Sequence, residues 1–308
     1  MLPDSMGRLL SEVARLDTTV TVVDAAHWLH DFQSEDELAA RDPGAPTDDV
    51  RPLADLLVEQ VEFADVIVLN KIDMVGADDL ARLETLLRRL NPDADLVRTE
   101  YGRVPLEQVL NTGKFNFEQE TSIAGWIVPP GEHRHDHDHD HGGHAHHGEA
   151  YGISSFVFRA RKPFHPQRLS DFIQSDLFDP VLRSKGSVWI ASRPEDAVLW
   201  SQAGDTLQFD LIGTWWADTP RDDWPDDADE LDEIEAMWDD STGDRRQELV
   251  FIGLHMVHDP LLAALTDCLL TDEELAAGPE AWRTYDDPFP AWDDLYTDDD
   301  LLFLDINA

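Results

Sequence analysis

Hydrophobic positions in the first third of the chain fall into short continuous runs separated by stretches with helical spacing. Thr18-Thr19-Val20-Thr21-Val22-Val23 is a β-branched run ending at Asp24; Val66-Ile67-Val68-Leu69 is a second, followed at once by Asn70-Lys71-Ile72-Asp73. Short runs that are apolar at consecutive positions predict strands buried on both faces. Between and after them, residues 52–63 place Leu53, Leu56, Leu57 and Val61 near helical spacing. Residues 77–90 do the same with Leu80, Leu83, Leu86, Leu87 and Leu90, and Asn91-Pro92 stops that helix. Residues 95–99 predict a third strand. Strands separated by helices imply a parallel sheet in an α/β layer fold, since a parallel connection has to cross the sheet.

The pattern changes after residue 150. Residues 153–159 alternate as a half-buried strand, residues 166–173 predict a short helix, and strand-like runs follow near 187–191, 197–202 and 206–212. Residues 218–240 carry twelve acidic side chains and read as a loop or solvated helix. A last strand over 247–253 and a last helix over 260–270 complete a small α+β domain. The Asp-, Pro- and Trp-rich stretch from Thr271 is expected to be partly ordered at best. The expected division is therefore 1–115, a linker over 116–150, a second domain over 151–271 and an acidic tail over 272–308.

Charge narrows the function. Sixty-five acidic against 23 basic residues give a formal net charge of -42, which argues against nucleic acid and against an anionic membrane surface, both of which need clustered Lys and Arg. Only four of the basic residues are lysines. Such acidity suits a salt-rich cytoplasm; the preference for arginine also fits a bias in genome composition. No segment reaches about 18 consecutive apolar residues and the first residues lack a basic-then-apolar leader, so the expected compartment is the cytoplasm. The lone Cys268 sits in an apolar run and reads as a buried structural thiol.

Residues 133–147, HRHDHDHDHGGHAHH, hold eight of the thirteen histidines. Neutral imidazole suits zinc, copper and nickel, and the alternating aspartates add charge and oxygen donors. With two glycines and nothing apolar larger than Ala145, the tract cannot pack a core and is expected to be a loop that supplies ligands as needed. His133, His135, His137, His139, His141, His144, His146 and His147 are the candidate ligands for a divalent transition metal. An inert linker would use Gly and Ser instead.

Asn70-Lys71-Ile72-Asp73 directly after a buried strand matches the Asn-Lys-x-Asp motif of G domains, placed where such loops sit, at the C-terminal end of a parallel strand. Taken with Val20-Thr21-Val22-Val23-Asp24-Ala25, with residues 60–73, and with the C-terminal segments 151–156, 182–186 and 245–253, the chain resembles the CobW-like GTPases, a metallochaperone family. The resemblance covers nearly all of residues 10–290. It implies a partial P-loop G domain, followed by a small α+β CobW C-terminal domain. It also implies GTP as ligand, with Asn70, Lys71 and Asp73 reading guanine. The Asp carboxylate accepts from the ring N–H and the exocyclic amine, while the Lys stem lies along the base. Metal transfer follows from the same resemblance, for zinc or cobalt with zinc the expected ion, to a client metalloprotein.

The family's Gly-Lys-Thr or Gly-Lys-Ser phosphate loop and its Cys-x-Cys-Cys motif have no counterpart in this sequence. Without a phosphate cradle and magnesium ligands, phosphoryl transfer loses its positioning and charge stabilisation, so GTP hydrolysis is expected of the intact family but not of this chain alone. Either a missing N-terminal segment or a naturally shortened paralogue explains the departure, and a partner or oligomer would then cover the exposed sheet edge. The alternatives to a GTP-dependent chaperone are a nucleotide-independent divalent-metal buffer and a client-binding scaffold. Elsewhere, His27 and His30 read as helix-surface residues, His165 as a helix start and His255 with His258 as a minor ligand candidate. Trp215-Trp216 reads as packing, and Lys185, Arg245 and Arg246 as partners of local carboxylates.

Overall fold

The computed structural model describes residues 15–33, 52–116, 151–292 and a two-residue strand at 304–305. They form two compact units, the first drawn from 15–33 and 56–116 and the second from the remainder.

The first unit is a parallel sheet with helices. Strand β1 (Val20–Asp24) leads to the short helix α1 (Trp28–Phe32); α2 (Leu53–Glu62), β2 (Val66–Asn70), α3 (Ala77–Leu90) and β3 (Asp95–Arg98) follow. The strand order is β1-β2-β3, all parallel, with Asp24 in register opposite Asn70 and Leu69 opposite Arg98. Val66, Ile67, Val68 and Leu69 are all buried, as a central parallel strand requires. Helix α3 buries Leu83, Leu86, Leu87 and Leu90; Asp78 and Asp79 lie in its first turn and Arg88 and Arg89 in its last, the signs the helix dipole favours. At its end Asn91 acts as a fastener: Nδ2 donates to the carbonyls of Val61, Glu62 and Ala64, and Oδ1 accepts from Asp93 and Ala94 N–H. Edge strand β1 leaves Val20 and Val22 exposed.

The second unit is built on an antiparallel sheet. Its strands are β4 (Ile153–Ala160), β5 (Val181–Val188), β6 (Asp196–Ala203), β7 (Thr206–Thr214) and β8 (Gln247–Leu254), with β9 (Leu304–Asp305) on the edge of β7. The spatial order is β4-β8-β5-β6-β7-β9. Helices α4 (Pro166–Ile173), α5 (Ala228–Ala236), α6 (His258–Cys268), α7 (Asp272–Ala277) and α8 (Pro279–Trp282) accompany it. Phe164, Leu169, Trp200, Phe251, Leu261 and Leu265 belong to its main core.

One expectation is corrected here. The strand expected over 187–191 lies earlier, at Val181–Val188, because buried polar residues carry much of it: Arg183, Ser184 and Ser187 are all at most 3% exposed. Their partners make the burial tolerable; Arg183 Nη1 reaches Ser201 Oγ and Gln202 O, and Ser184 Oγ reaches Gln202 Oε1. Of the stretch after Thr271, expected to be partly ordered at best, the described residues through 292 form α7 and α8 and bury Trp282 and Phe289. A capping box explains its start: Thr271 accepts from Glu274 N–H while the Glu274 carboxylate accepts from Thr271 N–H. The acidic stretch contains α5, capped by Asp227. No helix among the described residues is long and apolar enough to cross a membrane.

Candidate functional site

Strand β2 delivers Asn70-Lys71-Ile72-Asp73 at its C-terminal end, where the ends of all three strands converge. Asn70 closes β2, and its carbonyl accepts from Ala25 N–H at 2.9 Å. Its side-chain Oδ1 accepts from Gly102 N–H at 3.0 Å, which ties it to the turn that follows β3. That turn depends on left-handed backbone at Tyr101 (φ 55°) and Gly102 (φ 66°). Thr99 N–H donates to Leu69 O at 2.9 Å, continuing the β2–β3 pairing up to the loop.

Lys71 adopts the left-handed conformation, with φ 60° and ψ 34°, which L side chains enter at a cost. Its Nζ donates to Asp24 Oδ2 at 2.7 Å. Asp24 also lies 3.0 Å from His27 Nδ1 through the same oxygen and accepts from Ala26 N–H at 3.0 Å through the other. Partial burial pushes the Asp24 carboxyl up, but the bonds from Lys71, His27 and Ala26, with the Lys71 charge, outweigh it and hold the group at about 2. Asp73 sits in the 3-10 turn Ile72–Met74, exposed, and makes no hydrogen bond or ion pair among the described residues.

A carboxylate with unused acceptor capacity beside a long aliphatic stem fits a flat ring that offers two adjacent N–H donors, as guanine does and adenine does not.

The eight histidines of 133–147 lie outside the described residues. Among the described residues no group of three or more His, Cys, Asp or Glu side chains could hold a metal ion. His27 and His30 are exposed on α1 and its approach, each against a neighbouring aspartate. His258 contacts Ser154 Oγ, and His165 is the N-cap of α4, stacked on Tyr285. Burial pushes the Cys268 thiol up to about 12, which makes it inert. Trp215 is buried against Trp189 and Trp282, and Arg245 and Arg246 pair with Asp218 and Glu248. Asp24 is the residue to which the sequence reading gave no task. A signal existed: a carboxylate ends one buried strand as Asn-Lys ends the next, and parallel neighbours bring such ends side by side.

Comparison with known proteins gives two domain matches. Residues 4–98 match the CobW/HypB/UreG nucleotide-binding domain, and residues 153–269 match the cobalamin synthesis protein cobW C-terminal domain. The zinc-regulated GTPase metalloprotein activator 1 of Dictyostelium discoideum is 42% identical over 91% of this chain and 57% of its own length. A zinc chaperone of Mycobacterium tuberculosis is 30% identical over 91% of this chain and 63% of its own. The chain thus spans about three fifths of the length of these relatives. Among solved structures, a Zn(II)-bound YjiA GTPase from E. coli aligns with 85% of this chain and 64% of its own, at 21% identity and a TM-score of 0.36. With a CobW nucleotide-binding domain followed by a CobW C-terminal domain, the chain belongs to the CobW-like GTPase family.

Proposed function

We propose that this protein is a guanine-nucleotide-binding metal chaperone that carries zinc to a client metalloprotein. Asn70, Lys71 and Asp73 read the base, and the histidines of 133–147 hold the metal. One observation carries the nucleotide half: Asn70 and Lys71 are each tethered at the C-terminal end of a buried parallel strand while Asp73 keeps its carboxylate for a ligand. The relatives' names, a zinc-regulated activator and a zinc chaperone, support the metal half. No residue of this chain is assigned to hydrolysis, because a phosphate cradle and magnesium ligands would have to supply that step.

Two titrations test the proposal. GDP is expected to compete for the site better than ADP, and Asp73→Ala to remove that preference. Zinc calorimetry on the chain lacking 133–147 is expected to show a lower stoichiometry. In the full chain the apparent affinity is expected to fall as the pH drops through about 6.5, where protons claim free imidazole. Zinc binding that survives the deletion unchanged would refute the metal assignment. Zinc binding without any guanine preference would leave a nucleotide-independent buffer as the reading.

A further inference from the structure

The ion pair between Asp24 and Lys71 crosses from one strand end to the next and is more elaborate than stability requires. Lys71 Nζ lies 2.7 Å from Asp24 Oδ2 while its backbone sits at φ 60°. The two side chains are 43% and 33% exposed, and a pair this open to water adds little to stability. Left-handed backbone at a residue with a Cβ costs more than such a pair returns. Asparagine or glycine would make the same turn with less strain. A lysine is kept in an unfavourable backbone state, with its far end pinned, and folding alone does not select that combination.

Pinning both ends has one clear consequence. A free lysine stem samples many rotamers and presents no defined surface. Lys71 is fixed at Cα by its turn and at Nζ by Asp24, so its four methylenes form a preset apolar edge. Asp24 is itself held by several contacts: it lies in register opposite Asn70, its Oδ1 accepts from Ala26 N–H, and its Oδ2 is shared between Lys71 and His27. The chain of fixed contacts runs from the end of β1 to the loop after β2 and ends beside Asp73.

We propose that Asp24 is a positioning residue for the nucleotide base. It holds the Lys71 ammonium so that the lysine stem is already laid out where a purine ring stacks. This rests on the reading of Asn70, Lys71 and Asp73 as a base-binding loop. Asp24 touches no ligand and acts through Lys71, which separates its task from that of Asp73: Asp24 governs how well any ring seats, and Asp73 governs which ring.

The test is equilibrium binding of fluorescently labelled GDP and ADP to the full chain and to Asp24→Asn, Lys71→Met, the double variant and Asp73→Asn. Asp24→Asn is expected to weaken GDP binding by roughly three- to tenfold, the scale of one lost charged hydrogen bond in a partly exposed site, with the ratio of GDP to ADP affinity preserved. Asp73→Asn is expected to collapse that ratio. Lys71→Met keeps the stem and removes the ammonium, so the double variant is expected to bind no worse than the weaker single. Asp24→Glu is expected to restore part of the loss. GDP binding unchanged by Asp24→Asn, or losses that multiply in the double variant, would overturn the inference while leaving the base-reading loop in place. Equal binding of GDP and ADP by the unmutated chain would instead remove the loop reading, and the inference with it. Amine labelling gives a readout independent of nucleotide. With only four lysines in the chain, labelling is resolved residue by residue, and Lys71 is expected to be protected until Asp24→Asn exposes it. Equal labelling in both proteins would refute the clamp even if the Asn variant were too unstable for binding work.

Discussion

The two units use their polar side chains in opposite ways. In the parallel-sheet unit the chemistry-bearing groups stand at strand ends and face water: Lys71 is half exposed, and Asp73 makes no hydrogen bond or ion pair among the described residues. In the antiparallel unit several comparable groups turn inward onto internal partners, although His165 Nδ1, Arg168 Nε, Arg193 Nη1 and Trp215 Nε1 are buried without one among the described residues. Gln247, 1% exposed, accepts from Trp189 N–H and donates to the carbonyls of Trp189 and Lys162. Arg161 spends its guanidinium on three main-chain carbonyls, those of Met237, Gly243 and Arg245. Trp200 Nε1 donates to Ser184 Oγ, which passes the chain on to Gln202. Buried polar groups must find every partner to repay their desolvation, so they specify the fold. A polar group left with unused capacity in water costs nothing and stays available for a ligand. That contrast, more than overall shape, separates scaffold from site.

The largest effect is expected where the second unit has least room. Gly186 pairs with Leu249 at φ 149°, and an added Cβ would run into the carbonyl oxygen of Glu248 on β8. Gly186→Ala is therefore expected to cost at least about 3 kcal/mol, combining backbone strain with separation of two central strands. Denaturation followed by tryptophan fluorescence reads it, because eight of the ten tryptophans lie between 189 and 292. An unchanged midpoint would mean that β5 and β8 do not approach as closely as described.

A second substitution tries to break the contrast, because Asn91 is an inward fastener in the first unit. Asn91→Ala removes a donor from three carbonyls, those of Val61, Glu62 and Ala64, and the acceptor of the Asp93 and Ala94 N–H groups, and is expected to cost about 2–3 kcal/mol. Faster hydrogen exchange at the amides of Asp93 and Ala94 would report it. Exchange left unchanged would show that water replaces these bonds without loss.

The sequence made some of this visible. Strand β2 and helix α3 were legible because consecutive apolar residues and a leucine face leave little ambiguity, and Asn-Lys-x-Asp marked the loop between them. β5 was misplaced because VLRSKGSV has no hydrophobic period; its burial rests on cross-strand hydrogen bonds that only the folded neighbours reveal. The helices after Thr271 were hidden by acidic composition, although Thr271-x-x-Glu274 is a capping-box signature in the sequence itself. At the site, Asn70, Lys71 and Asp73 were legible as a motif. The contact of Asp24 with Lys71 was not, since they lie 47 positions apart in sequence and only the parallel register brings them together.

A smaller effect is expected in acid. Glu274 forms a two-pronged pair with Arg168, at 2.9 and 2.8 Å, and joins α7 to α4. The hydrogen bond from Arg168, helped by Thr271 N–H and by the Arg168 charge, lowers its carboxyl to about 2 against an opposing contribution from burial. A depressed carboxylate stabilises the fold fully above its ordinary value of 4.5, and that contribution is lost as pH falls from there toward 2. Because the pair is partly open to solvent, the loss is expected to be about 1 kcal/mol. Melting temperatures measured between pH 6 and pH 2.5 should fall less steeply in Glu274→Gln than in the unmutated chain. Parallel curves would show that other carboxylates dominate acid unfolding.

The smallest stability effect expected is the one that bears most directly on the contrast. Asp73 is exposed and makes no hydrogen bond or ion pair among the described residues, so Asp73→Ala should change stability by no more than about 0.5 kcal/mol. On the proposed reading, in which the carboxylate accepts from two adjacent N–H donors of the base, the same change is expected to abolish the preference for guanine over adenine. Function and stability would then separate at a single residue, as an outward-facing group predicts. A clear drop in melting temperature would mean that Asp73 has an internal partner after all and belongs with Gln247 and Asn91 as a fastener. Its carboxylate would then already be spent, and guanine recognition would have to be sought elsewhere in the chain.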